Sequence, residues 1–179
     1  MNKITTFSEY SRAAASTQME SCKNEDYLRF GLISEVGELC AIFKRAIRGD
    51  FKLEDKREDI LLELGDICWY LDRLNAMQPN PDGLGFNQFI FYADVNSDFE
   101  ADCKEWDKSL CTIKNVMHDV VAMLDNPSLF DFVCIFSHIG SIADKFGFTI
   151  WDVLTANVEK LAKRKERGLI MGSGDHREA

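Results

Sequence analysis

Two consecutive stretches of the chain repeat apolar residues at the period of an α-helix, and both place acids inside the apolar sector. The first is "ISEVGELCAIFKRAIRGD", Ile33 to Asp50, and the second is "LLELGDICWYL", Leu61 to Leu71. With about 100° per residue and Glu35 at zero, Leu28, Leu39 and Ala46 fall at about 20° to 40° and Ile42 at about −20°. Glu38 then lies at about −60°, on the border of that sector. With Glu63 at zero, Ile67 and Leu74 fall at about 20° to 40°, and Asp66 lies at about −60°. A carboxylate among apolar side chains is costly unless something neutralises it.

One acid pair spaced i,i+3 is ordinarily a solvated helix edge. Two such pairs, on consecutive helices that pack antiparallel, bring four carboxylates together. They would repel one another and raise some of their own pKa values, so a cation is the natural partner. No histidine accompanies them, and the cysteines do not share their spacing. The all-oxygen set Glu35, Glu38, Glu63 and Asp66 selects Mg²⁺, or Mn²⁺, over zinc. A third piece lies near the C-terminus. With Asn157 at zero, Lys160 falls at about −60° and Arg164 at about −20°. Two cations and an amide on the edge of an apolar face complement a helix C-terminus. Beside a metal they are also suited to grip phosphate oxygens.

Helical period dominates elsewhere too, and the chain reads as one all-α domain over residues 1–179, a helix bundle. An Ala-rich helix is expected from about Thr6 to Glu20. The second runs from an Asn24 cap to a stop at Gly49, and the third from Leu53 to Met77, ended by the Pro79–Gly85 turn cluster. "FNQFIFYADV" is short and apolar enough to be strand or helix. Three further helices are expected over Glu105–Leu124, Leu129–Gly147, and from a Thr149 cap to a Gly168 stop. The tail from Leu169 onward has no periodicity and reads as loop.

The formal charge of −9 disfavours a general nucleic-acid binder or a binder of anionic membranes. The six cysteines form no Cys-x-x-Cys pair, and several sit in helical apolar patterns, so they are expected to be buried reduced thiols of a cytoplasmic protein. No run has the length of a signal-peptide core or a membrane span.

Taken together, "SEVGEL" (Glu35, Glu38), "ELGD" (Glu63, Asp66) and "NVEKL" (Asn157, Lys160) resemble the motifs of the MazG-like all-α nucleoside triphosphate pyrophosphohydrolases, the superfamily that includes dimeric dUTPases and dCTP pyrophosphatases. The tail "GLIMGSGDHRE" is similar to a Gly-Ser-Gly-Asp ending associated with MazG-like proteins. The likeness covers about residues 24–76 and 135–177. Two features depart from it. Ser34 stands where the fuller motif has its first glutamate, and an insertion of about residues 77–131 separates the third core helix from the C-terminal helices.

The resemblance implies a MazG-like bundle that binds a nucleoside triphosphate and releases pyrophosphate and a monophosphate. In that picture Glu35, Glu38, Glu63 and Asp66 hold Mg²⁺, and Glu35 and Glu38 are the catalytic acids, with Glu35 the candidate to activate water. Asn157, Lys160 and Arg164 would bind phosphates. Phe7, Phe30, Trp69 and Tyr70 are candidates for a base pocket, with Gln18 to read a base edge. Simple members assemble through their helices, so a homodimer or homotetramer is expected.

Other classes fare less well. A di-iron bundle requires Glu-x-x-His pairs, and the residues three before His118, His138 and His176 are Asn115, Ile135 and Ser173. His118-Asp119 has no upstream histidine to complete a His-Asp phosphohydrolase set. The remaining alternative is a helical interaction or regulatory protein that keeps the family bundle without catalysis.

Overall fold

The computed structural model describes residues 3–78, 105–125 and 129–169, with side chains at 112–124 in the second of these ranges and from 131 in the third. Every regular element among them is helical. Thr6 opens α1 (Phe7–Thr17) with a capping box closed by Glu9. The helix stops three residues short of the expected Glu20. Ser16 and Thr17 turn their hydroxyls back onto the carbonyls of Ala13 and Ala14, which weakens the last turn. Gln18 is then extended, and a separate 3₁₀ turn follows at Glu20–Cys22.

Both ends of α2 (Glu25–Arg48) fall where the sequence placed them. The Asn24 side chain accepts from the Tyr27 amide at 3.0 Å. Gly49 closes the other end at φ 89°, a left-handed conformation that favours glycine. The third segment divides in two: a 3₁₀ turn at Leu53–Lys56, then α3 (Arg57–Asn75). Lys56 supplies no side-chain cap, so nothing local extends the α-helix back to Leu53.

Helix α4 (Glu105–Asp125) occupies part of the stretch read as an insertion, and it packs against α5 (Leu129–Lys145) and α2. Its buried Ile113, Val116, Val120 and Met123 form one stripe at helical spacing. The stripe faces α5, whose Phe132, Ile135, Ile139 and Ile142 are fully buried. That part of the insertion therefore extends the bundle. Thr149 caps α6 (Ile150–Glu166), and Gly168 beyond its end has φ 68°. The Pro79–Gly85 cluster, "FNQFIFYADV" and the tail after Leu169 lie outside the described residues.

Helix α3 is the centre of the bundle. It packs against α1, α2, α5 and α6, and Ile60, Leu64, Ile67, Cys68 and Leu71 have no exposed surface. Burying each leucine or isoleucine contributes about 1.5–3 kcal/mol. Among the described residues, no helix is long and apolar enough to cross a membrane.

Candidate functional site

Glu63 and Asp66 stand one turn apart on α3, and Glu35 faces them from α2. Each of the three offers one carboxylate oxygen, and these oxygens lie within 4.8 Å of one another. Among the described residues this is the one group of three or more metal-capable side chains so close together. Three of the four acids expected as ligands are thus brought into one cluster. Glu38, the fourth, is exposed and outside it.

Depth differs from what a helical wheel suggests. Glu63 is the buried acid at 8 % exposure, whereas Glu35 is half-buried. The wheel places Glu35 and Glu63 alike, but α3 is covered on several sides and α2 on fewer. Glu38 and Asp66 share a wheel angle and end in different surroundings for the same reason. Helix α6 lies over Asp66 and carries two side chains that reach it.

Those two are Asn157 and Lys160. Asn157 is fully buried, and its Nδ2 donates to Asp66 Oδ1 at 2.9 Å. The Lys160 ammonium donates to Asp66 Oδ2. Both were expected at phosphate oxygens, yet the structure gives each a carboxylate partner inside the protein. Arg164, one turn beyond Lys160, is half-buried.

The close approach of α6 depends on Gly65, inside the "ELGD" stretch. A Cβ there would stand 2.9 Å from Asn157 Cβ and 3.4 Å from the Val153 carbonyl oxygen. No side chain larger than hydrogen fits without moving Asn157.

Sequence reasoning missed the residue behind Asn157. Tyr10, on α1, is fully buried and donates from its hydroxyl to Asn157 Oδ1 at 3.2 Å. Burial, reinforced by Cys68, Asp72 and Asp66, pushes this phenol well above its ordinary pKa and keeps it a donor. Phe7, Tyr10 and Ala14 recur at helical spacing, so the signal for a buried Tyr10 was present in the sequence.

The aromatic candidates separate. Tyr70 packs directly over Gly31, where a Cβ would be 2.1 Å from its ring. Its ring lies 5.0 Å from that of Trp69, edge to face, and 6.3 Å from that of Tyr27. Burial first, then a hydrogen bond with Tyr27 and the charges of Glu35 and Asp66, push the Tyr70 phenol well above its usual range. Tyr70 therefore belongs to the rim of the acid cluster, and Tyr27, 43 % exposed, extends that rim.

Trp69 turns its indole N–H to Thr17 Oγ1 at 3.2 Å, and Gln18 donates to the Cys22 carbonyl. Phe7 packs between Phe136 and Trp151 in the core. Phe30 is 75 % exposed and sits about 140° around α2 from Glu35, away from the acids.

No family model matches this chain, and no curated protein or solved structure does. The likeness to the MazG-like enzymes therefore rests on the motif residues themselves. What the geometry offers chemically is a compact, half-buried set of hard oxygen donors, with an ammonium on one side and a phenol pair on the other.

Proposed function

We propose that the chain is a Mg²⁺-dependent nucleoside triphosphate pyrophosphohydrolase, converting an NTP or dNTP and water to the monophosphate and pyrophosphate. One observation carries the reading: Glu35, Glu63 and Asp66 converge from two helices to within 4.8 Å. Three carboxylates at that spacing fit a hard divalent cation, Mg²⁺ or Mn²⁺, better than any softer metal. Bound there, the ion would offset phosphate charge and make its water more acidic.

The protein groups then divide the remaining work. Glu63, the buried acid, and Asp66, held by Asn157 and Lys160, are ligands. Glu35 is half-buried and can pass a proton to solvent, so it is the group to take the proton from water attacking the α-phosphorus. The α,β-bridging oxygen leaves with pyrophosphate. Arg164 and Lys160, the latter shared with Asp66, face the phosphates. Glu38 adds charge at the rim, and Tyr70 with Tyr27 forms the aromatic surface for the base.

A second reading has an observation of its own. Both oxygens of Asp66 already have donors, Asn157 and Lys160, so part of the acid charge is balanced within the protein. That suits a helical regulatory protein that keeps the bundle without catalysis. The discriminating test is phosphate release over a panel of NTPs and dNTPs with Mg²⁺ and added pyrophosphatase. Silence across the panel overturns the enzyme reading.

We also read the chain as a homodimer or homotetramer. The exposed Phe30 and Ile33 on α2 are the apolar surface that assembly would cover. Light scattering at the 20.4 kDa monomer mass overturns that reading.

A further inference from the structure

We infer that Tyr10 is a positioning residue for the acid cluster, acting on Asp66 through Asn157; this rests on the metal reading proposed above. The relay crosses three helices. Tyr10 on α1 donates to Asn157 Oδ1 at 3.2 Å, and Asn157 on α6 donates from Nδ2 to Asp66 Oδ1 at 2.9 Å on α3. Tyr10 and Asn157 are both fully buried. Water is therefore not at hand to replace the phenol–amide bond, and Asp66, at 14 % side-chain exposure, is the end of the relay nearest solvent.

The chemistry of the amide gives the relay its direction. An amide has one oxygen and one NH₂ group. With the phenol donating to Oδ1, Nδ2 is the end that faces Asp66. The reversed amide would aim an oxygen at a carboxylate, which is repulsive. Without the phenol hydroxyl, Oδ1 is left buried without its hydrogen, and the amide gains by tilting away from its present orientation.

Asp66 would feel that tilt directly. Asn157 holds Oδ1 and Lys160 holds Oδ2, so the carboxylate plane is set by these two donors. That plane helps decide which lone pairs Asp66 presents toward Glu63 and Glu35. Outer partners of metal ligands act in this way, and their loss weakens metal affinity about 10- to 100-fold. Tyr10 stands one bond further out, so the lower end of that range applies.

The measurement is Mn²⁺ affinity, read from the electron paramagnetic resonance signal of free Mn²⁺. Four proteins are compared: wild type, Tyr10→Phe, Asn157→Ala and the double variant. Tyr10→Phe should bind Mn²⁺ about tenfold more weakly than wild type, with its helical circular dichroism unchanged. In the Asn157→Ala background the same substitution should change affinity by less than about twofold, because the intermediary is gone. If Asn157→Ala does not fold, Asn157→Ser serves as the background. A Tyr10→Phe variant that binds as wild type does, or one whose effect is undiminished without Asn157, overturns the inference and leaves the metal reading standing. Wild-type protein that binds no Mn²⁺ overturns both.

Discussion

Asn157 and Asp66, distant in sequence and fixed on different helices, meet through a 2.9 Å hydrogen bond from Nδ2 to Oδ1 at the crossing of α3 and α6. The bond ties the C-terminal helix to the acid cluster. It also gives a carboxylate in a crowded acidic site one neutral and one cationic donor, since Lys160 holds the other oxygen.

Replacing Asp66 by Asn removes the charge and leaves the Lys160 ammonium facing an amide. Their side chains are only 14 % and 11 % exposed, so the stability cost should be about 1–3 kcal/mol. Turnover should fall by about 100-fold or more, as when a group that stabilises charge in a reacting site is lost. Circular dichroism and nucleotide hydrolysis measured on the same sample separate the two effects. Near-normal activity with intact helices would show that Asp66 is not a ligand.

Two glycines give opposite expectations. Gly65→Ala drives a Cβ to within 2.9 Å of Asn157 Cβ. The protein should lose about 1–2 kcal/mol net, overpacking outweighing the helix propensity gained. Gly37, in the "SEVGEL" stretch, has no atom within 4 Å of an added Cβ. Gly37→Ala should therefore stabilise the protein by about 0.5–1 kcal/mol. Chemical denaturation of both variants checks the pair, and a Gly65→Ala protein as stable as wild type would contradict the close crossing.

Acid stability should report on the start of α6. Hydrogen bonds from Lys3 first and then from Thr149 hold the Asp152 carboxyl at about 2, down from 3.8. A lowered carboxyl stabilises the folded state above its unfolded value, and that contribution is lost as pH falls through the folded one. Asp152→Asn should thus remove the part of the acid transition that lies between about pH 4 and pH 2. The ion pair with Lys3 and the charge of the capping box are lost with it, at a cost of about 0.5–1 kcal/mol near neutral pH for so open a pair. Melting curves across this range decide the matter. Equal slopes for the two proteins would contradict the assignment.

What was legible in the sequence was mostly local. Asn24, Gly49 and Thr149 mark helix ends because capping depends on one residue and its immediate neighbours. The acids of α2 and α3 were visible as intruders in apolar sectors, since a wheel gives the direction of a side chain. It does not give depth. Glu35 and Glu63 sit at equivalent angles, yet only Glu63 is buried, because α3 is enclosed by four helices. The partners of Asp66 were hidden for a related reason. Asn157 and Lys160 were found on the right helix face, but their contact depends on how closely α6 approaches. Gly65 controls that approach, and its role appears only when the two helices are placed together.

The chemistry proposed for Glu35, Glu63 and Asp66 is cleavage of a nucleoside triphosphate between its α- and β-phosphates. The most direct measurement follows products by ³¹P nuclear magnetic resonance for wild type and Glu63→Gln, with Mg²⁺ and a panel of NTPs and dNTPs. At least one nucleotide should yield its monophosphate and pyrophosphate with wild type, and Glu63→Gln should be slower by about 100-fold or more. No turnover of any nucleotide, release of orthophosphate with a diphosphate instead, or an unchanged rate in Glu63→Gln would contradict it.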